Sequence, residues 1–60
     1  MLKDYRDENN RKIFGALIRA KRETKESYSI TKINYDTSTN QFVISVNASD
    51  NFHNKAISYL

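Results

Sequence analysis

The stretch Tyr28–Asn47 reads YSITKINYDTSTNQFVISVN, two runs of alternating apolar residues separated by a polar cluster. This pattern is typical of a β-hairpin. Residues 36–40, DTSTN, are turn formers whose short side chains hydrogen-bond the nearby backbone, so we expect the chain to reverse there. The predicted cross-strand pairs are Tyr35/Phe42, Ile33/Ile44 and Thr31/Val46.

This register divides the hairpin into an apolar face and a mixed face. A slip of one residue would bury Lys32, Asn34 and Ser45 together, so burial of the apolar face sets the register. An isolated hairpin is marginal in water and needs helices or further strands against it. The predicted core face carries Ile33, Tyr35, Phe42, Ile44 and Val46. The predicted outer face carries Tyr28, Ile30, Lys32, Asn34, Val43, Ser45 and Asn47.

Helices are predicted on both sides of the hairpin. The first runs from Asp4 to about Lys25, contains no proline, and has apolar residues at helical spacing. The second is short and follows an N-cap at Ala48-Ser49-Asp50. A third strand over residues 56–60 is the alternative to the second helix. The apolar stripes are Ile13, Phe14, Leu17 and Ile18 in the first helix and Phe52, Ala56, Tyr59 and Leu60 in the second.

The length of 60 residues predicts one domain, residues 1–60, with a small α+β core in the order α-β-β-α. An antiparallel hairpin packs against an N-terminal helix and a short C-terminal helix. Chains this short usually need a disulfide, a metal or a second subunit for stability. Because the sequence has no cysteine and a single histidine, we expect a homodimer, in which two hairpins pair into a four-stranded sheet.

Enzymatic activity is not predicted. Asp50 and His53 lie three residues apart on the second helix, with Ser49 or Ser58 as a conceivable nucleophile. Catalysis also needs an orienting group and a cavity that excludes water, and so small a core leaves little room for one. A surface or half-buried histidine is the simpler interpretation.

Cofactor and metal sites are not predicted either. Asp36, Ser38 and Asn40 resemble the first ligands of a calcium loop. That loop requires glycine at its sixth position and glutamate at its twelfth, where this chain has Gln41 and Asn47. A hairpin turn is therefore the better interpretation of these residues.

Localisation follows from the absence of long apolar runs. The sequence shows neither a signal peptide nor the ~20 apolar residues that span a bilayer, which predicts a cytoplasmic protein without a membrane partner. Because so small a core leaves little room for a cavity, a small-molecule substrate is not predicted either. Its richness in Asn, Ile and Lys is typical of AT-rich bacterial or phage genomes.

A protein partner is the preferred functional hypothesis, in which the chain is a regulator or inhibitor that occupies a surface of another protein. Glycine in mid-helix costs ~1 kcal/mol relative to alanine and often accompanies the close approach of another backbone. The predicted partner-binding residues are Gly15, Ala16, Tyr28, Ile30 and Lys32.

Nucleic acid is the alternative partner, because the formal charge is +3 and basic residues line the outer side of the first helix. Acidic residues four positions away can neutralise this stripe for ~0.2–0.5 kcal/mol per pair, which favours the protein hypothesis. The predicted ion pairs are Glu8/Lys12, Arg19/Glu23 and Arg22/Glu26. The predicted nucleic-acid-binding residues are Arg11, Lys12, Arg19, Arg22 and Lys32.

Overall fold

A computed structural model of the chain describes residues 1–7 and 10–60. They form two layers, a three-stranded antiparallel sheet and two helices packed on one of its faces. The elements are β1 (Leu2–Asp7), α1 (Asn10–Thr24), β2 (Ser29–Asp36), β3 (Gln41–Asn47) and α2 (Asp50–Ser58). The α+β class, the predicted hairpin and the presence of two helices are confirmed, but the predicted order α-β-β-α is wrong, because a strand at the N-terminus makes the order β-α-β-β-α.

β1 replaces the predicted first turns of the N-terminal helix. It pairs antiparallel with β3, so the sheet order is β1-β3-β2 and β3 is the central strand. The prediction of a helix from Asp4 is therefore wrong, since α1 begins at Asn10. Pairing with β3 satisfies the backbone groups on one side of β1, and Tyr5 is buried beneath the helices. Tertiary pairing overrides local helix propensity here.

The hairpin turn lies where the sequence predicts it. β2 ends at Asp36 and β3 begins at Gln41, with residues 37–40 forming the turn. Asn40 adopts a φ of 56°, the left-handed conformation that asparagine tolerates better than most residues. The predicted pairs Tyr35/Phe42 and Ile33/Ile44 are confirmed.

A register shift in β2 changes the third predicted pair. Val46 faces Ile30 rather than Thr31, because the ladder is irregular between Ile30 and Lys32 and Thr31 is the extra residue. Ile30 thereby moves to the helix side of the sheet, while Lys32 stays on the outer side opposite Ser45. The placement of Ile30 on the outer face was therefore wrong.

The core lies between the helices and the strands β1 and β3. Ile44 and Val46 are fully buried, as predicted, whereas Ile33 is 52% exposed and Tyr35 is 49% exposed. The prediction that Ile33 and Tyr35 are core residues is wrong, because the helices cover the neighbouring strands and leave β2 open. The buried cluster consists of Tyr5, Ile13, Leu17, Ala20, Ile44, Val46, Phe52 and Ala56.

α1 buries a different arc from the predicted stripe. Ile13 and Leu17 are buried as expected, but Ala16 and Ala20 are buried with them, and Ile18 is 47% exposed. α1 packs against both β1 and α2, so its buried side chains point between these two elements. The predicted outward position of Ala16 and the predicted core position of Ile18 are both wrong.

α2 forms as predicted rather than as a third strand. Ser49 is its N-cap and accepts a hydrogen bond from the backbone N–H of Phe52 at 3.1 Å. Glu26, in the connection between α1 and β2, accepts hydrogen bonds from Ser49 Oγ at 2.7 Å and from Asn51 Nδ2 at 2.8 Å. These hydrogen bonds lower the pKa of Glu26, the bond from Asn51 having the larger effect and the bond from Ser49 the smaller.

We expect Glu26→Gln to remove part of the acid sensitivity of folding. A carboxyl with a depressed folded pKa contributes stability above the ordinary glutamate pKa of ~4.3, and this is lost as the pH falls through the folded pKa. The difference in Tm between wild type and Glu26→Gln should therefore shrink as the pH falls from about 7 to about 3. Thermal melts over this range measure it. Glu23→Gln, at an exposed position on α1, is the matched control, and its Tm difference from wild type should not change with pH. A Tm difference for Glu26→Gln that is likewise independent of pH would contradict the expectation.

Candidate partner-binding surfaces

The outward face of α1, defined by Lys12, Gly15, Ile18, Arg19 and Arg22, is exposed at every one of these positions. Gly15, Ile18 and Arg22 follow one another at spacings of three and four residues, so they are neighbours on one side of the helix. A Cβ atom built on Gly15 meets nothing within 4 Å. The glycine therefore leaves a shallow, open position beside an exposed isoleucine.

The positive charge of this face is less neutralised than the sequence suggests. Among the described residues, neither Arg19 with Glu23 nor Arg22 with Glu26 forms an ion pair. Glu26 is engaged with α2 instead, and Arg19 lies over the ring of Tyr59, its guanidinium carbon 4.3 Å from the ring centroid. These two predicted pairs are wrong.

Two of the charged residues predicted to act at this face lie wholly or partly outside the part of the chain that the structure describes. Glu8, the predicted partner of Lys12, is outside the described residues, and so is the side chain of Arg11. α1 contains five of the ten Lys and Arg residues and only one acid, Glu23. Positive charge is thus concentrated on this helix.

The predicted sheet residues do not form one surface. Tyr28 packs on the core, its ring centroid 5.0 Å from that of Phe52, so its predicted place on the outer face is wrong. Ile30 faces the helix side, and Lys32 faces the outer side. The structure therefore places Lys32 on the opposite side of the sheet from Tyr28 and Ile30.

The outer face of the sheet is polar and mixed in charge. Asp4 accepts a hydrogen bond from Ser45 Oγ at 2.7 Å, and Arg6 Nη1 lies 3.4 Å from an oxygen of Asp36. Lys32 is in the same row as Asp4 and Ser45. A phosphate backbone laid on this face would meet carboxylates as well as Lys32.

A buried polar pair joins β1 to α2. The Tyr5 hydroxyl lies 2.6 Å from His53 Nδ1, and His53 Nε2 lies 2.9 Å from the Met1 carbonyl oxygen. Since a carbonyl only accepts, Nε2 carries a ring hydrogen, and in the tautomer with its hydrogen on Nε2 the other nitrogen, Nδ1, accepts from the Tyr5 hydroxyl. Burial raises the pKa of Tyr5, so its hydroxyl keeps the proton that it donates.

His53 is therefore a buried residue whose ring connects α2 to Met1 and Tyr5, and it does not lie on an exposed edge of the helix. The ring is 2% exposed. Ser49 and Asp50, its conceivable catalytic companions, are exposed, and the Ser49 hydroxyl is engaged with Glu26 and Phe52. The expectation of a surface or half-buried histidine is wrong, and the three side chains are not brought together.

β2, with its free edge, is the most exposed strand of the sheet. Seven of its eight residues are exposed, and Asp36 is half-buried. Ile33 and Tyr35 lie on the helix side of the sheet but beyond the helices. The hairpin pattern identified both side chains, but only the position of the helices determines that they stay in solvent.

Metal sites, pockets and membrane-spanning helices are the remaining features to consider in the described residues. Within residues 1–7 and 10–60, no group of three or more His, Cys, Asp or Glu residues could hold a metal ion, and no surface pocket is found. In the same residues, neither helix has the length and apolar character needed to cross a membrane.

Comparison with known proteins adds no relative. No protein-family model matches the chain, and neither the curated proteins nor the solved structures contain a match to it.

Proposed function

We propose that this chain is a small, non-enzymatic, cytoplasmic binding protein that regulates or inhibits a partner protein by occupying an acidic surface on it. The outward face of α1 makes the contact. Gly15 and Ile18 lie at its centre, and Lys12, Arg19 and Arg22 surround them.

The exposed Ile18 is the observation that carries this proposal. Protein interfaces combine an apolar centre with a polar rim, whereas the contacts that position a protein on a phosphate backbone are made by basic and polar groups. An isoleucine between basic side chains suits the first arrangement. It contributes nothing to the second.

The charge of α1 indicates the chemistry of the partner. The basic rim lacks the two neutralising pairs with Glu23 and Glu26, so a complementary surface carries carboxylates around an apolar spot. Such complementarity raises the association rate and excludes wrongly charged partners.

A photo-crosslinking residue at position 18 tests the proposal in the cells that carry the protein. We expect adducts that protease destroys and nuclease leaves intact. The same residue at position 39, in the exposed turn, is the control. Adducts no more abundant at position 18 than at position 39 would contradict the proposal.

Substitutions then test the contact with the crosslinked partner. Gly15→Leu should abolish the adduct because the added side chain fills the open position, and nothing within 4 Å of its Cβ opposes it in the free chain. Asn54→Leu, at an exposed position of α2, should leave the adduct unchanged. Equal loss in both variants would indicate a non-specific effect and contradict the assignment of the face.

Nucleic acid remains the second candidate because Arg19 and Arg22 do not form the predicted pairs with Glu23 and Glu26. For that function, Arg19→Ala with Arg22→Ala should flatten the dependence of log affinity on log salt by ~0.7–0.9 per lost phosphate contact. Gly15→Leu and Ile18→Ser should then matter little. Submicromolar, salt-sensitive binding to generic duplex DNA or RNA with this variant profile would replace the protein hypothesis.

A further inference from the structure

We propose that β2 pairs antiparallel with β2 of a second copy of the chain, about a two-fold axis at Asn34, to form a continuous six-stranded sheet. This surface is separate from the outward face of α1, so the inference does not rest on the proposed function.

The free edge of β2 is suited to strand pairing. An edge strand presents a row of backbone N–H and C=O groups that another strand can satisfy. The bulge at Thr31 disturbs only one end, and the ladder of β2 with β3 is regular from Lys32 to Asp36. The helices leave this strand uncovered, so no element of the same chain obstructs its approach.

The opposite edge of the sheet is protected. β1 is charged at four of its six positions, in the sequence LKDYRD. Charged side chains on an edge strand discourage pairing with another chain. β2 carries only Lys32 and Asp36 as charges, and these have opposite signs.

These two charges select the register. With Asn34 opposite its own copy, Lys32 faces Asp36 of the second copy, and the two-fold axis repeats this contact. On the other side of the sheet, Ile33 faces Tyr35 in the same way. Opposite charges and apolar pairs placed directly across two strands stabilise a sheet.

Neighbouring registers lack this complementarity. With the axis at Ile33, Lys32 faces Asn34 and the bulged Thr31 enters the ladder. With the axis at Tyr35, the hairpin turn enters it. The Asn34 register alone uses the regular part of β2 and places Lys32 opposite Asp36, which also contacts Arg6 of its own chain at 3.4 Å.

Burial of apolar side chains also favours this dimer. Ile33 and Tyr35 are each about half exposed in the single chain. Pairing brings four such side chains together on the helix side of the sheet, two from each copy, because a two-fold axis perpendicular to the sheet keeps both helix layers on one side. The second copy therefore covers the apolar surface that the helices leave open.

Sedimentation and cysteine substitution test the proposal on the full chain. We expect a dimer population that rises between about 1 μM and about 1 mM protein. Since the chain has no cysteine, Asn34→Cys introduces one thiol, and at the axis two such residues fall within the ~4.4–6.8 Å Cα separation of a disulfide. Lys32→Cys places its two thiols ~13 Å apart and should stay unlinked, whereas Lys32→Cys with Asp36→Cys should link.

Charge reversal tests the register independently of oxidation. Lys32→Asp and Asp36→Lys should each weaken self-association roughly tenfold, because two attractive pairs become repulsive. An equimolar mixture of the two variants should recover dimer formation, since each opposite pair is then restored. Circular dichroism confirms that each variant is folded.

Three results would overturn the proposal. They are a monomer at every concentration, disulfide formation at Lys32→Cys as efficient as at Asn34→Cys, and self-association that Lys32→Asp leaves unchanged. The first of these would leave the β2 edge available to a strand of a different protein.

Discussion

Phe52→Ala is expected to lower the free energy of unfolding by about 3–5 kcal/mol, which is enough to leave so small a domain largely unfolded. The Phe52 ring is fully buried, packs on Tyr28, and joins α2 to the cluster that contains Ile13 and Leu17. Its loss removes apolar burial and leaves a cavity between both layers. Chemical denaturation monitored by circular dichroism measures the effect.

Phe42→Ala is the matched control for this change. Phe42 is only half-buried, and its ring lies edge-on against the exposed Tyr35 at 4.9 Å between centroids. The sequence places Phe42 at the centre of the core, but the structure gives that place to Phe52. If Phe42→Ala proved as destabilising as Phe52→Ala, the position of the helix layer over β1 and β3 would be wrong.

Tyr5→Phe is expected to destabilise the fold by about 1–3 kcal/mol, although it removes a single oxygen atom. The hydroxyl is the partner of His53 Nδ1 at 2.6 Å, and the phenylalanine ring leaves that buried acceptor unsatisfied. Equilibrium unfolding in urea, with the same slope for both proteins, measures the difference.

Tyr35→Phe provides the comparison for an exposed tyrosine. Its hydroxyl donates to Asn40 Oδ1 at 3.3 Å in solvent, so its removal should change stability by less than about 0.5 kcal/mol. Equal effects of the two substitutions would show that the bond between Tyr5 and His53 is not the source of the stability.

The hairpin and the second helix are the parts of the fold that local patterns predict well. Both depend on signals contained within a few residues: alternation around a turn, and an N-cap such as Ser49 before an apolar stripe. Register is predictable where the alternation is regular, from Ile33 to Ile44. It fails at Thr31, because a bulge leaves the composition of a strand unchanged.

β1 is the part of the fold that no local pattern identifies. Tyr5 is the only apolar residue on its inward side, between Lys3 and Asp7, and the charges resemble the start of a helix. The strand exists because β3 offers a partner, which is a property of the folded chain. The same non-local cause decides that Ile33 is exposed and that Ala16 is buried.

The candidate surfaces were predicted only in part. The basic character of α1 and its open Gly15 follow from the sequence. The place of Ile18 on the outward face depends on how α1 is rotated against α2. The separation of Tyr28 from Lys32 likewise depends on packing, because the same residue types suit either side of a sheet.

The pairing of β1 with β3 determines the order in which the sheet can be completed. Each residue of β1 lies 35 to 45 positions before its partner, from Asp7 with Phe42 to Leu2 with Asn47. During synthesis β1 leaves the ribosome before β3, and each of its residues can pair only after 35 to 45 further residues have been added. Distant pairings of this kind are entropically costly and close late. The charged residues of β1 make its sequence resemble the start of a helix. They also discourage β1 from pairing with strands of other chains before β3 is available.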